Sequence, residues 1–297
     1  MELTTECLEC MLHRNLSTAR ALGDEATAMA FARELMQAVL DAPAGVTTPY
    51  FSPITADLFQ KYYRLDPDRF AKEKAQANAF VLERMDRIRA CVRSAPDPVY
   101  AAMQYAVLGN YLDYSALGDR VDLNALDETL EKGREIPLDT AVYGKFRRDL
   151  ERAGSLLLLT DNAGEIGFDR ILGECIRDAC PGLSVTFCVR GGPAVNDATR
   201  EDARRMGIPF PVIDNGTRIS GTELRCIGPQ ARQALETADV ILAKGQGNTE
   251  TMYGCGLNVY YLFLVKCKRF MDAFHRPQFT PMLVRERDGT QEGAERK

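Results

Sequence analysis

From Ser155 onward the chain alternates short apolar runs with helical segments, and the principal runs end in polar, glycine-containing sequence. The apolar runs lie at 156–159, 185–189, 211–213, 240–243 and 257–265, and the stretches 168–180, 198–206 and 229–237 between them read as helices. Alternation of this kind predicts an α/β chain with a mostly parallel sheet covered by helices on both faces, a three-layer α/β/α domain. In such sheets ligands bind beyond the carboxyl ends of the strands, where loops converge.

The first half reads as an all-helical region. Thr4 or Thr5 can cap a helix running toward Gly23, with Leu8, Leu12, Leu16 and Ala19 on one face. A second helix spans about 24–40, and Ser52-Pro53 and Asp66-Pro67 each place proline just inside a helix start. The stretch 67–92 reads as one extended helix, broken by Pro96-Asp97-Pro98, and further helices are expected at 100–110 and 139–154. The expected organisation is a helical region at 1–138 that packs on and caps the site, an α/β/α metal- and phosphate-binding domain at 139–285, and a polar, disordered tail at 286–297.

Charge and composition narrow the function. A formal charge of −5 provides no global attraction to nucleic acid or to an anionic membrane. A phosphorylated small-molecule substrate must therefore be recruited by a local cation. The longest apolar runs are too short to cross a bilayer, and the start has no basic segment followed by an apolar one, so a cytoplasmic protein is expected. Nine cysteines, an odd and scattered set, fit reduced thiols better than a disulfide framework. With two histidines, His13 and His275, a catalytic metal would lean on oxygen ligands, which favours Mg²⁺ or Mn²⁺.

Three strand ends carry the candidate chemistry: Thr160-Asp161-Asn162-Ala163-Gly164-Glu165, Arg190-Gly191-Gly192-Pro193-Ala194-Val195-Asn196-Asp197, and Lys244-Gly245-Gln246-Gly247-Asn248-Thr249-Glu250. Asp161, Asn162 and Asp197 are hard oxygen donors of the kind a divalent metal takes. Lys244 is a compact cation suited to phosphate oxygens, and Gly164, Gly191, Gly192, Gly245 and Gly247 let backbone amides approach an anion. Each element also has a plain structural reading. Asp-Asn-Ala-Gly after a strand makes a turn with a helix cap, Asn196-Asp197 can cap the next helix, and a single lysine is usually solvated. Neither a Walker loop nor Gly-x-Gly-x-x-Gly is present. Convergence of all three loops on one rim favours a composite site.

These loops resemble the damage-control phosphatase family, metal-dependent proteins also described as having an acidic-residue methyltransferase-like fold. The resemblance lies in Leu159-Thr160-Asp161-Asn162-Ala163-Gly164-Glu165-Ile166-Gly167-Phe168-Asp169, in Gly191-Gly192-Pro193-Ala194-Val195-Asn196-Asp197-Ala198-Thr199, and in Ala243-Lys244-Gly245-Gln246-Gly247-Asn248-Thr249-Glu250. Glu6-Cys7-Leu8-Glu9-Cys10 and Gly109-Asn110-Tyr111-Leu112-Asp113 match as well, and the early Cys-x-x-Cys looks like the mainly prokaryotic branch. The resemblance implies hydrolysis of sugar phosphates or damaged phosphometabolites with one bound Mg²⁺, Mn²⁺, Co²⁺ or Ni²⁺. It places metal ligands on Asp161, Asn162 and Asp197, and catalysis on Asp161, Glu165 and Asp197. Asp169 reads as structural. Substrate-binding residues are expected at Asn110, Asp113, Gly192, Asn196, Lys244, Gly245 and Asn248. The expected route is in-line attack by water, with Glu165 or Asp197 taking its proton; attack by the Asp161 carboxylate is the alternative.

Cys7 and Cys10 share a helix face, so a redox pair or half of a zinc site is open to them, with packing as the plainer role. Two rival functions remain: a carboxyl methyltransferase using S-adenosylmethionine, and a non-catalytic module that binds a phosphometabolite or metal. Chelator-sensitive phosphate release separates the proposed enzyme from both.

Overall fold

The computed structural model describes residues 1–112 and 133–286. Five parallel strands form the body of the sheet: β1 (Ser155–Leu159), β2 (Ser184–Val189), β3 (Val212–Asp214), β4 (Val240–Lys244) and β5 (Val259–Leu264). A sixth, β6 (Pro281–Arg285), runs antiparallel along β5. The order is β3-β2-β1-β4-β5-β6. The chain thus moves outward in one direction from β1, then returns to lay β4 on the other side. The switch point lies between β1 and β4, and in an open sheet of this kind that crevice is where ligands bind.

β1 is Ser-Leu-Leu-Leu-Leu because both of its faces are covered. Leu156 and Leu158 face one core with Val185, Phe187, Leu242 and Tyr260. Leu157 and Leu159 face the other with Ile241, Ala243, Tyr261 and Phe263. The first layer is built by α4 (Ala71–Arg93), α5 (Pro98–Leu108), α6 (Thr140–Arg152) and α7 (Glu165–Ala179). α9 (Pro229–Thr237), α10 (Gly245–Met252) and α11 (Lys268–Phe274) lie with the second core, while the short α8 (Arg200–Arg205) follows β2. One core therefore crosses the boundary drawn at 138/139, since α4 and α5 pack on the same sheet face as α7.

The opening helices α1 (Thr5–Leu22), α2 (Glu25–Leu40) and α3 (Ser52–Tyr63) have a small core of their own around Phe31, Leu35 and Phe59. Thr4 caps α1 by accepting from the Cys7 N–H, and Asp24 caps α2 by accepting from Thr27. These helices dock on the α/β layer through specific bonds. The Ser220 N–H donates to Ser52 Oγ at 3.0 Å, Thr47 Oγ1 donates to Glu223 at 2.9 Å, and Arg218 forks onto Asp57 with two bonds of 3.0 Å.

The structure differs from the sequence reading at four local points. The helix expected from Pro67 starts at Ala71, after turns at 67–70. α10 begins directly at Gly245, with no intervening loop after β4. β6 escaped the periodicity because it is a short edge strand that opens on proline, where no ladder donor is needed. Glu286, counted with the tail, is 1% exposed; its carboxylate accepts from the Gly254 and Gly256 amides and from the Tyr261 hydroxyl. No helix among the described residues is long and apolar enough to cross a membrane.

Candidate active site

The loops after β1 and β2 are stapled together by their backbones. Asn162 and Asp197 form an isolated antiparallel bridge, in which Ala198 N donates to Asp161 O at 2.7 Å and Ala163 N donates to Asn196 O at 2.9 Å. The staple is what gathers Asp161, Asn162 and Asp197. Val195, just before it, holds φ at 53°, an uncommon conformation for a β-branched residue, and is kept there by the bonds on either side. From the other layer, Asn78 of α4 accepts from the Gly164 amide at 2.7 Å. Gly164 itself has φ 77°, and a Cβ there would meet Ala77 at 2.9 Å, so only glycine lets the loop lie this close to α4.

Asp161 and Asp197 are 6% and 2% exposed. The Asn162 amide nitrogen donates to Asp161 Oδ2 at 3.0 Å and to Glu165 Oε2 at 3.1 Å, leaving its carbonyl oxygen turned away from both carboxylates. Arg190, the first residue beyond β2, is 1% exposed. Its Nε donates to Asp197 Oδ2 at 2.5 Å, and Nη2 stands 3.9 Å from Asp161 Oδ1. Both terminal guanidinium nitrogens, Nη1 and Nη2, are buried without a hydrogen-bond partner among the described residues. Ser220 Oγ donates to the other Asp197 oxygen at 2.9 Å. Burial and then the charges of Glu165 and Asp197 raise the Asp161 carboxyl well above the ordinary carboxylate range, while Lys266 and Arg190 pull it down.

That imbalance fits a metal ion. Two buried carboxylates repel each other despite Arg190, and a divalent cation would relieve the repulsion, with the Asn162 side-chain oxygen as the third hard donor the sequence offers. Among the described residues no three His, Cys, Asp or Glu side chains gather into a metal-holding group.

Behind Asp161, Asn162 and Asp197 lies a buried ion cluster. Lys244 is 0% exposed, and its ammonium donates to Glu165 Oε1 at 2.7 Å, Asp169 Oδ1 at 2.8 Å and the Ala106 carbonyl at 2.9 Å. An ammonium has three N–H donors, and all three are used. Burial works against the charge, but Asp169 and Glu165 outweigh it and hold the Lys244 pKa above its ordinary value. Asn110 Nδ2 donates to the same Glu165 oxygen at 2.6 Å.

Three of the remaining expected residues, Gly245, Asn248 and Asn196, lie beside these groups. Gly245 abuts Asp161, and Asn248 clasps the ends of β1 and β4 by donating to the Thr160 and Lys244 carbonyls at 2.9 and 2.7 Å. Asn196 belongs to the staple. Gly192 is not joined to the cluster; it lies against the Arg218 side chain. Asp113 lies outside the described residues. Arg190 and Ser220 had no role in the sequence reading. Arg190 opens one of the three loops and was legible as a polar strand end, whereas Ser220 sits in an irregular stretch with no signal.

Gly245 offers a direct test of this geometry. Its φ is 79°, and a Cβ there would come within 1.8 Å of Asp161 Oδ2. Gly245→Ala is therefore expected to displace the Asp161 carboxylate and lower turnover by about a hundredfold, the scale of a 1 Å misplacement. Phosphate release measured alongside circular dichroism checks this; unchanged turnover would mean Asp161 does not work from this position.

The chain matches the damage-control phosphatase ARMT1-like domain over residues 3–278. It is 36% identical over 169 residues to damage-control phosphatase PH1575 of Pyrococcus horikoshii, a match that spans 56% of this chain and 58% of that protein. A damage-control phosphatase of Archaeoglobus fulgidus is 29% identical over 280 residues, covering 90% of this chain and 93% of the relative. The crystal structure of the DUF89 family protein PH1575 superposes with a TM-score of 0.81 at 27% identity, over 96% of this chain and 99% of that one. With the family match spanning nearly the whole length and the same fold beneath it, this chain belongs to the ARMT1-like damage-control phosphatase family.

Proposed function

We propose that this chain hydrolyses phosphate monoesters of small metabolites, sugar phosphates or damaged phosphometabolites, with one divalent ion (Mg²⁺, Mn²⁺, Co²⁺ or Ni²⁺) held by Asp161, Asn162 and Asp197. The observation that carries the reading is Arg190: a buried guanidinium beside two carboxylates, with both terminal nitrogens unpartnered. Buried donors of this kind call for an acceptor, and a phosphoryl group offers several oxygens to a planar fork. The metal, when bound, would neutralise phosphate charge and polarise a phosphoryl oxygen.

The chain's own residues divide the remaining work. Arg190 orients the phosphoryl group and offsets charge on its oxygens. Asp161 Oδ1 accepts no hydrogen bond from the described residues, so it is the open carboxylate oxygen for the proton of an attacking water. Asp197 is fixed by Ser220 and Arg190. Glu165, 0% exposed and tied to Lys244, Asn110 and Asn162, acts from behind by setting the Asn162 amide. The two open Arg190 donors suit phosphoryl oxygens, whereas the methyl-sulfonium centre of S-adenosylmethionine offers them no acceptor.

Arg190→Met is expected to lower kcat/KM for an aryl phosphate by about 100- to 1,000-fold and to weaken inhibition by inorganic phosphate, with Arg190→Lys recovering part of the loss. Steady-state kinetics with phosphate as inhibitor measure both. Turnover and phosphate affinity near those of the wild type would remove Arg190 from the site. We further assign the chain to the prokaryotic branch carrying the early Cys-x-x-Cys. A reducing cytoplasm is supported by nine free thiols.

A further inference from the structure

Between the opening helices and the rim lies a cleft of about 710 Å³, within the range of small-molecule sites, roughly 300–1,000 Å³. Its wall includes Val195 and Gln246, chain neighbours of the site loops: the first lies two residues before Asp197 and the second directly after Gly245. Phe51, Phe59, Phe70 and Met11 give it apolar walls. Its charged lining is four cations, Arg14, Arg69, Lys268 and Arg269, against two carboxylates, Glu6 and Glu250. That positive excess stands out in a chain of formal charge −5.

Three of these cations are already engaged. Lys268 pairs with Asp272 at 2.5 Å and Glu6 at 3.5 Å, Arg269 donates to Cys7 Sγ at 3.2 Å and lies 3.9 Å from Glu250, and Arg14 has a partner. Arg69 differs. Its guanidinium carbon lies 5.0 Å from the ring centres of both Phe59 and Phe70, and its guanidinium makes no hydrogen bond or ion pair with a described residue. Aromatic contacts hold the planar fork in place while its donors stay open to the cleft. A guanidinium so held is suited to bidentate capture of a phosphate or carboxylate.

We infer that the cleft seats the part of the substrate beyond the ester oxygen, and that Arg69 there binds a second anionic group. The inference rests on the phosphatase reading and narrows its substrate class to phosphate monoesters that carry a further phosphate or carboxylate. The spacing asks for an extended molecule. α4 starts two residues after Arg69 and reaches the rim at Asn78, seven helical residues or about 10 Å further on. The apolar walls leave room for an uncharged middle between the two anions.

The test compares a hexose monophosphate, the matching hexose bisphosphate and a phosphorylated sugar acid as substrates for wild type, Arg69→Met and Arg69→Lys, with metal supplied. Wild type is expected to prefer the doubly anionic esters. Arg69→Met should shrink that kcat/KM ratio by about tenfold or more through KM, and Arg69→Lys should restore part of it. The relative effects on the bisphosphate and the sugar acid identify which second anion is bound. Absence of a wild-type preference, or an equal loss on all esters in Arg69→Met, would overturn the inference. Should Arg69→Met fail to fold, Arg69→Gln carries the same comparison. If wild type releases no phosphate from any ester, the phosphatase reading fails instead. Calorimetric titration with the bisphosphate then decides for the cleft: weaker binding to Arg69→Met supports it, and equal affinity overturns it.

Discussion

Asp161→Ala is expected to abolish hydrolysis of an aryl phosphate, by at least about a thousandfold, and to leave the protein folded. Both halves follow from the same environment. The carboxylate is buried beside Glu165 and Asp197, so it supplies charge where a metal would need it and repulsion where the fold would do without it. Removing it takes away one assigned metal ligand and the open oxygen assigned to the attacking water, while relieving the repulsion. In chelator, thermal melting of the variant should therefore match or exceed that of the wild type, as expected for a site kept for activity at the expense of stability. A clear drop in melting temperature would mean that Asp161 holds the loop together, and its activity loss would then be uninformative.

Lys244→Met is expected to act through stability instead. The substitution leaves Glu165 and Asp169 buried without their cation and orphans the Ala106 carbonyl. Breaking a buried pair by removing one partner costs about 3–5 kcal/mol, and for a chain of this size that is a fall of roughly 5–8 °C in melting temperature. Adding Glu165→Gln and Asp169→Asn to Lys244→Met should recover part of the loss, because the stranded charges are then gone. A variant that melts like the wild type but shows a raised KM would return Lys244 to direct phosphate contact.

The contrast between these two residues shows what the sequence made legible. The alternation after Ser155 announced the parallel sheet, and β1 could be all leucine because helices cover both of its faces. The rule that polar strand ends converge found Asp161, Asn162 and Asp197, and the backbone staple between their loops explains why they meet. Which way a strand-end side chain points depends on parity. Lys244 lies two residues beyond Leu242, whose side chain faces the α4–α7 layer, so the lysine turns inward to Glu165 and Asp169 rather than out to the rim. Counting that parity from β4 would have found the buried cluster.

Other features had no local signature. Arg190 could be seen as polar, but its two unpartnered nitrogens exist only because the β2 loop folds back on Asp161. Ser220 reaches Asp197 from an irregular stretch, and Arg69 meets the cleft by packing on Phe59, which comes from a separate helix. Of the roles open to the cysteine pair, packing is the plainer one and implies buried thiols. Instead Cys10 is exposed and Cys7 half-buried; burial raises the Cys7 thiol, but hydrogen bonds with Thr4, Arg269 and Thr48 outweigh it and bring its pKa below the ordinary value. Tertiary contacts between distant segments decide such features, and a single sequence does not contain them.

Phosphate release from an aryl phosphate, measured in chelator and then with Mn²⁺ or Co²⁺ restored, tests the central claim most directly when wild type and Asp161→Ala are run side by side. Activity that vanishes in chelator, returns with metal in the wild type and never returns in Asp161→Ala is the predicted result. Undiminished release in chelator, or near-normal metal-stimulated turnover in Asp161→Ala, would contradict a metal-dependent phosphatase site at Asp161, Asn162 and Asp197.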